Sequence, residues 1–170
     1  WGGMERIESI KALCEVFPRY NNAARKTEFV EILRRFASDP TDGVRETIFP
    51  QLARMATPAE ESLLMAGISD TTATVREHAL RGLQQSNPEK AWEPAIALCR
   101  DGALTVKCAA YGVLLHDVAR CPNKIFLQAC REEDATLQQR AASGISRLPE
   151  GMFRRLIGPL LTTRSETVQA

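Results

Sequence analysis

The chain has 170 residues and nearly balanced charges, with 22 Lys plus Arg against 21 Asp plus Glu and a net charge of +1. This length suits one domain with a buried core, and the charge gives no electrostatic reason to expect nucleic acid or an anionic membrane as the main partner. The longest apolar runs, such as SLLMAGI, fall far short of the roughly 20 residues that cross a bilayer, so we expect no membrane span.

The first predicted element is a helix with the sequence MERIESIKALCEVF, at residues 4–17. It lies in an N-terminal segment, 1–26, that we expect to be a capping helix or the remnant of a preceding repeat. The letters WGG before Met4 and the ending SETVQA both indicate a piece excised from a longer protein.

From residue 27 onward the sequence repeats itself with a period of 31 residues. The apolar column that defines the period holds Val44, Val75, Val106, Leu137 and Val168. Polar columns follow the same step, with Asp39, Asp70, Asp101, Glu132 in one and Arg45, Arg76, Lys107, Gln138 in another. A fixed period of roughly 20 to 50 residues is typical of a solenoid.

Each copy is predicted to contain two helices joined by a short polar turn. Val75, Ala79 and Leu83 lie at i, i+4 and i+8, which is one face of an amphipathic helix, the second of its copy. No strand-like alternation interrupts the pattern. The copies, which we take as one continuous domain over 27–170, are 27–57, 58–88, 89–119, 120–150 and a partial 151–170.

Start signals mark the first helix of a copy. In the stretch TPAE, Thr57 is a predicted N-cap, Pro58 fits the first helical position and Glu60 completes a capping box. Asn87 and Pro88 repeat the signal in the next copy. We therefore expect first helices to begin near 58 and 88.

The pattern D-x(5)-[VL]-[RK]-x-x-[AI]-x-x-x-[LI] at this step resembles the HEAT repeat, and the short period is similar to HEAT-like repeats of phycobilin lyase relatives. The resemblance covers about residues 27–170. It implies an all-α fold, an α-solenoid of stacked antiparallel helix pairs that forms a HEAT/armadillo-like superhelix. Stacking is what lets such units bury a continuous core.

The resemblance also implies a role for the acidic and basic columns. In HEAT-like families such residues typically form a ladder between adjacent units. The structural ladder predicted here consists of Asp39, Arg45, Asp70, Arg76, Asp101 and Lys107. We expect it to order the stack more than to stabilise it.

The third copy breaks the polar pattern on the outward side of its second helix. At 100° per residue, the side opposite the Val75 column is polar in the second and fourth copies, whereas here it holds Cys108, Gly112 and Leu115, flanked by Tyr111. An apolar group on a face that should be wet is a candidate partner-binding site. Burial against a neighbouring helix is the alternative interpretation.

No convergent catalytic or metal-binding set is found. The two histidines, His78 and His116, occupy different columns and no recognised motif. The five cysteines form no C-x-x-C pair, so we expect reduced thiols and a reducing compartment, the cytosol or the nucleus. We predict no catalytic residues, no metal and no cofactor.

These expectations favour a non-catalytic scaffold for protein–protein interaction that presents its second helices to a protein or peptide partner. The alternative is a HEAT-like nucleic-acid-binding module of the DNA glycosylase or lyase kind, which would need a basic concave surface. The basic stretches ILRRF and MFRRL also contain or follow glutamates, so we interpret them as solvated faces.

Overall fold

A computed structural model of the chain describes residues 2–16, 23–148 and 150–154, apart from the side chains of 23–26 and 145. This part of the chain is all-α and contains no strand. Its helices are α1 Gly3–Val16, α2 Ala23–Phe36, α3 Asp42–Met55, α4 Glu61–Gly67, α5 Ala73–Ser86, α6 Pro88–Leu98, α7 Leu104–Leu114, α8 Asn123–Arg131 and α9 Ala135–Ile145. Two 3₁₀ turns, Pro58–Glu60 and Leu115–Asp117, precede α4 and follow α7.

The sequence period is also the period of the helices. We call α2, α4, α6 and α8 the first helices, and α3, α5, α7 and α9 the second helices. The second helices begin at Asp42, Ala73, Leu104 and Ala135, each 31 residues after the last. The third residue of each is fully buried: Val44, Val75, Val106 and Leu137. The predicted apolar column therefore places one buried residue in each of the second helices α3, α5, α7 and α9.

Helix packing follows the order of the copies. Each first helix packs against the second helix that follows it, and α3 packs on α5, α5 on α7 and α7 on α9. Helix α1 packs against α3. Buried side chains from α1 to α9 form one apolar cluster. Close approach needs a glycine at Gly82, where an added Cβ would lie 3.1 Å from the Cα of Ala53.

The predicted starts of the first helices are confirmed at two places. Thr57 is an N-cap within a complete capping box: its side chain accepts a hydrogen bond from the Ala59 backbone N–H, and the Glu60 carboxylate accepts one from the Thr57 backbone N–H at 2.8 Å. Asn87 caps α6 through the Lys90 backbone N–H. Such caps satisfy N–H groups that the helix itself leaves free.

Polar contacts also join neighbouring first helices. Arg34 of α2 contacts the buried Glu60, and Lys90 contacts Glu61. Arg120, just before α8, reaches Glu89 at 2.7 Å. These contacts, together called the outer ties, join the first helices of successive copies.

Two sequence expectations reach beyond the described residues. The partial fifth copy, 151–170, is described only as far as 154, so the Val168 column position lies outside. The N-terminal helix predicted at 4–17 is observed as α1, Gly3–Val16, and residue 17 lies outside. No helix in the described ranges is long and apolar enough to cross a membrane.

Candidate functional site

Charged side chains join each second helix to the turn of the next copy. The Arg45 guanidinium donates two hydrogen bonds to the Asp70 carboxylate, with Nε–Oδ2 at 2.7 Å and Nη2–Oδ1 at 3.0 Å. Arg76 makes the same contact with Asp101, at 2.8 Å for both bonds. The structure thus brings each arginine of the predicted ladder to the acidic residue of the following copy.

The ladder residues also hold the turn of their own copy. Nη1 of Arg45 donates to the carbonyl oxygen of Asp39 at 2.8 Å, and Nη1 of Arg76 donates to that of Asp70 at 2.9 Å. The Asp70 carboxylate accepts a bond from the Thr72 backbone N–H at 2.8 Å. One set of charges therefore orders a turn, a helix start and a junction between copies.

The ladder changes character at its two ends. Arg6, the fourth residue of α1 as Arg45 is of α3, lies with its Nε 3.0 Å from Oδ2 of Asp39. Lys107 reaches Glu132 through a single ammonium contact of 3.0 Å. Gln138 makes the contact within its own copy, donating to the carbonyl oxygen of Glu132 at 2.9 Å, and the position of the next copy that corresponds to Glu132, residue 163, lies outside the described residues.

The ladder charges are fixed in their ionised forms. Burial alone would raise the pKa of Asp70, but hydrogen bonds from Arg45 and Thr72 outweigh it and bring that pKa to about 2. The hydrogen bond from Arg76 leads the lowering of the Asp101 pKa. Since each charge is already paired inside the fold, the ladder has little left to offer a ligand.

The structure corrects the expectation that the third copy carries an exposed apolar line. Tyr111 is 0% exposed and Leu115 is 5% exposed, so both belong to the core. Cys108 and Gly112 are half-buried. The Tyr111 hydroxyl donates to Oε1 of Glu132 at 3.3 Å. These four residues therefore do not form an apolar surface open to solvent.

The reason lies in where α7 ends and in what covers it. The projection at 100° per residue assumed a continuous helix, but α7 ends at Leu114 and tightens into a 3₁₀ turn. Leu115 then packs towards α9, where an added Cβ on Gly144 would lie 3.7 Å from its Cδ2. Tyr111 occupies the repeat position of Leu80, which is also buried.

A groove of about 400 Å³ lies between α7 and α9, and three of the four predicted residues line it. Tyr111 and Leu115 form its apolar floor, and Gly112 lies on one wall. The opposite wall, from α9 and the turn after it, includes Arg140 and Arg147. Three of the predicted residues therefore line a groove, but its accessible surface is polar and apolar in similar parts rather than apolar.

A second groove, of about 320 Å³, lies between α3 and α5. It is lined by Pro50, Ala53, Arg54, His78, Arg81 and Gln85. Their counterparts two 31-residue steps later are Gly112, Leu115, His116, Arg140, Ser143 and Arg147, and all of these line the α7–α9 groove. The same repeat positions therefore build both grooves.

The two grooves differ in how their arginines are used. In the α3–α5 groove, Arg81 pairs with Glu77 at 2.8 Å, while Arg54 makes no side-chain ion pair in the described part of the chain. In the α7–α9 groove, Arg140 and Arg147 make no ion pair with any side chain in the described part of the chain. Sequence reasoning missed both residues. Arg140 and Arg147 share columns with His78 and Gln85 of the second copy. A comparison of side-chain charge along each column would therefore have shown that both columns are cationic in the fourth copy.

The histidines and buried thiols have ordinary explanations. Burial lowers the pKa of His78 against a smaller opposing effect of Glu77, so its ring is neutral at pH 7. His116 lies in the other groove. Burial raises the pKa of Cys99 to about 12 and that of Cys121 to about 11, which keeps both as unreactive thiols. Within the described ranges, no three His, Cys, Asp or Glu side chains are grouped to hold a metal ion.

The basic stretches contain paired charges. Arg34 contacts both Glu31 and Glu60, and Arg154 lies 2.8 Å from Glu150.

The HEAT-repeat prediction rests on the 31-residue pattern. No family model matches the chain, and no curated protein is significantly similar to it.

Proposed function

We propose that the chain is a HEAT-repeat α-solenoid that serves as a non-catalytic scaffold for protein–protein interaction. In this proposal 27–170 is one continuous stack, α1 in 1–26 caps it, and the second helices present one face to a protein or peptide partner. The contact of Arg6 with Asp39 supports the capping role, because it repeats the ladder contact of the later copies. The scaffold needs no cofactor and works in the cytosol or nucleus.

One observation carries this proposal: the same repeat positions line both grooves. A groove that recurs along a repeat array gives an extended partner successive places to bind, which is how solenoids use their long surfaces. The grooves are shallow clefts between helices. Such clefts suit side chains of a peptide better than an enclosed small molecule.

A second candidate is a nucleic-acid-binding module of the HEAT-like glycosylase kind. Arg140 and Arg147, which make no ion pair in the described residues, favour it, since arginine pairs well with phosphate. Tyr111 and Trp92 speak against it, because Tyr111 forms the groove floor without exposed surface and Trp92 is buried in α6, so neither presents an open face to a base. We therefore rank it second.

Photo-crosslinking tests the scaffold proposal directly. A photoreactive amino acid is placed at Gln84 or at Gln139, both on the second helices, and in a matched variant at Glu93, which is exposed on α6. The proposal predicts protein adducts from the two second-helix positions but not from Glu93. Adducts confined to Glu93, or none from any position, would contradict it. Adducts with nucleic acid would support the second candidate.

A further inference from the structure

We propose that the α7–α9 groove binds an acidic peptide segment, whose carboxylates pair with Arg140 and Arg147. This inference rests on the proposed scaffold function and names the chemistry of its partner. Its starting point is the pair of arginines that lines this groove: neither makes an ion pair within the described residues, whereas in the α3–α5 groove Arg81 is held by Glu77 and Arg54 alone lacks an ion pair there.

The two arginines are arranged to act together. Arg140 lies on α9, and Arg147 lies seven residues later in the helical turn that follows it, where its backbone N–H bonds the Gly144 carbonyl, so the two are separated by roughly 10 Å. Both line the same groove. Two carboxylates three residues apart in an extended polyproline-type segment are separated by about 9 Å. A short acidic peptide can therefore meet both guanidinium groups at once.

Gly112 lets one of these arginines reach the middle of the groove. An added Cβ at Gly112 would lie 3.3 Å from Nη1 of Arg140, so the guanidinium lies directly over the backbone of α7. The equivalent residues in the two earlier copies, Pro50 and Arg81, both carry larger side chains. Because Gly112 has no side chain, the Arg140 guanidinium can lie against α7, across the groove from its own helix α9.

The rest of the groove lining suits a peptide. None of the described residues that line it is acidic. Gln139 and Ser143 offer amide and hydroxyl groups that can bond a peptide backbone, while the floor of Tyr111 and Leu115 is apolar. A carboxylate that binds here meets two cations and no competing anion from the lining, which is the charge complementarity that selects acidic partners.

Nucleic acid is the less suitable occupant of this groove. A phosphate backbone carries charge at every nucleotide and rewards a long basic track, but the second-helix face also carries Glu46 and Glu77. Two arginines in one groove, without ion pairs among the described residues, match a pair of carboxylates better than a continuous row of phosphates.

The experiment selects binders from a phage-displayed library of random short peptides against the whole chain. The inference predicts enrichment of peptides with two or more Asp or Glu residues at a constant spacing, and binding that weakens as salt is raised. An enriched peptide, labelled with fluorescein, is then titrated by anisotropy against variants. Arg140→Glu with Arg147→Glu should weaken binding on the order of tenfold or more.

Controls separate groove recognition from general charge. Arg100→Glu changes an exposed arginine outside the groove and should leave the affinity within about twofold. Gly112→Gln adds no charge but fills the place of the Arg140 guanidinium, so it should also weaken binding. Replacing the peptide carboxylates by lysine should restore affinity for the charge-reversed variant and abolish it for the native chain.

Three results would overturn the inference. Enriched peptides without acidic residues would contradict it and leave the scaffold proposal standing, whereas failure of the photo-crosslinking test contradicts the scaffold itself. Acidic peptides that bind Arg100→Glu and the groove variants equally weakly would show only nonspecific attraction. Arginine-dependent binding of a duplex DNA oligonucleotide without any peptide binding would favour the nucleic-acid candidate.

Discussion

The α3–α5 junction and the α7–α9 junction occupy equivalent repeat positions but use charge differently. At the first, Arg45 holds Asp70 through two hydrogen bonds, and Arg81 is paired on the surface. At the second, Lys107 holds Glu132 through one contact, while Arg140 and Arg147 make no ion pair in the described residues. Repetition fixes where a side chain lies, and the residue at that position decides whether its charge serves folding or stays available.

The difference follows from the chemistry of the two cations. The arginine guanidinium is a planar fork that bonds both carboxylate oxygens of Asp70, whereas the lysine ammonium of Lys107 is a point charge with one partner oxygen. The first junction is therefore better ordered by its ion pair. The second depends more on apolar packing, to which Tyr111 and Leu115 contribute.

The largest effect is expected at the α7–α9 junction, which depends more on apolar packing. Leu115→Asp puts a carboxylate into the buried floor of the α7–α9 groove. Burying an unpaired charge is costly, so the free energy of unfolding should fall by about 4 kcal/mol or more. Circular dichroism melts measure the change. Ser143→Asp, exposed on the same groove, should shift it by about 0.5 kcal/mol or less; equal effects would mean that Leu115 is not packed.

The ion pairs themselves can be compared by removing one cation from each junction. Arg45→Met leaves the Asp70 carboxylate, which is largely buried, without its two charged bonds, and should cost about 3 kcal/mol. Lys107→Met removes one partly exposed contact and should cost about 1 kcal/mol or less. Urea unfolding at neutral pH gives both values. A larger loss for Lys107→Met would reverse the ranking of the junctions.

A smaller effect than that of Leu115→Asp or Arg45→Met is an acid-dependent loss of stability from the first junction. The folded pKa of Asp70 is about 2, below the ordinary value of about 3.9. A lowered pKa stabilises the fold fully above about pH 4, and that stabilisation is lost as pH falls towards about 2. The loss is about 2 kcal/mol. Unfolding across this range measures it against Asp70→Asn, which should show a shallower fall; parallel curves would exclude this carboxylate as the source.

Much of the fold could be read from the 31-residue period. The column of Val44, Val75 and Val106 located the second helices, since each begins two residues before its valine. The TPAE signal located a capped helix start because capping is local chemistry that depends on a few adjacent residues. The ladder between copies was predicted from the resemblance to HEAT-like families, and the columns of opposite charge supplied its residues.

The candidate site was less predictable because it depends on tertiary spacing. The projection of α7 failed at Leu115, where the helix tightens after Leu114, a change with no plain signal in the sequence. It also treated the side opposite the core column as wet, although α9 covers part of it. Arg140 and Arg147 become a pair only when the groove between α7 and α9 is known.

The position of the outer ties has a mechanical consequence. Helix α8 is attached to the preceding copy at both ends, by Arg120 to Glu89 before it starts and by Glu132 to Lys107 after it stops. Its nine residues separate the attachments by about 14 Å. Tilting α8 about either attachment would stretch the other. The two ion pairs thus fix the direction of α8, and with it the position of α9, whose Gly144 lies against Phe126 of α8.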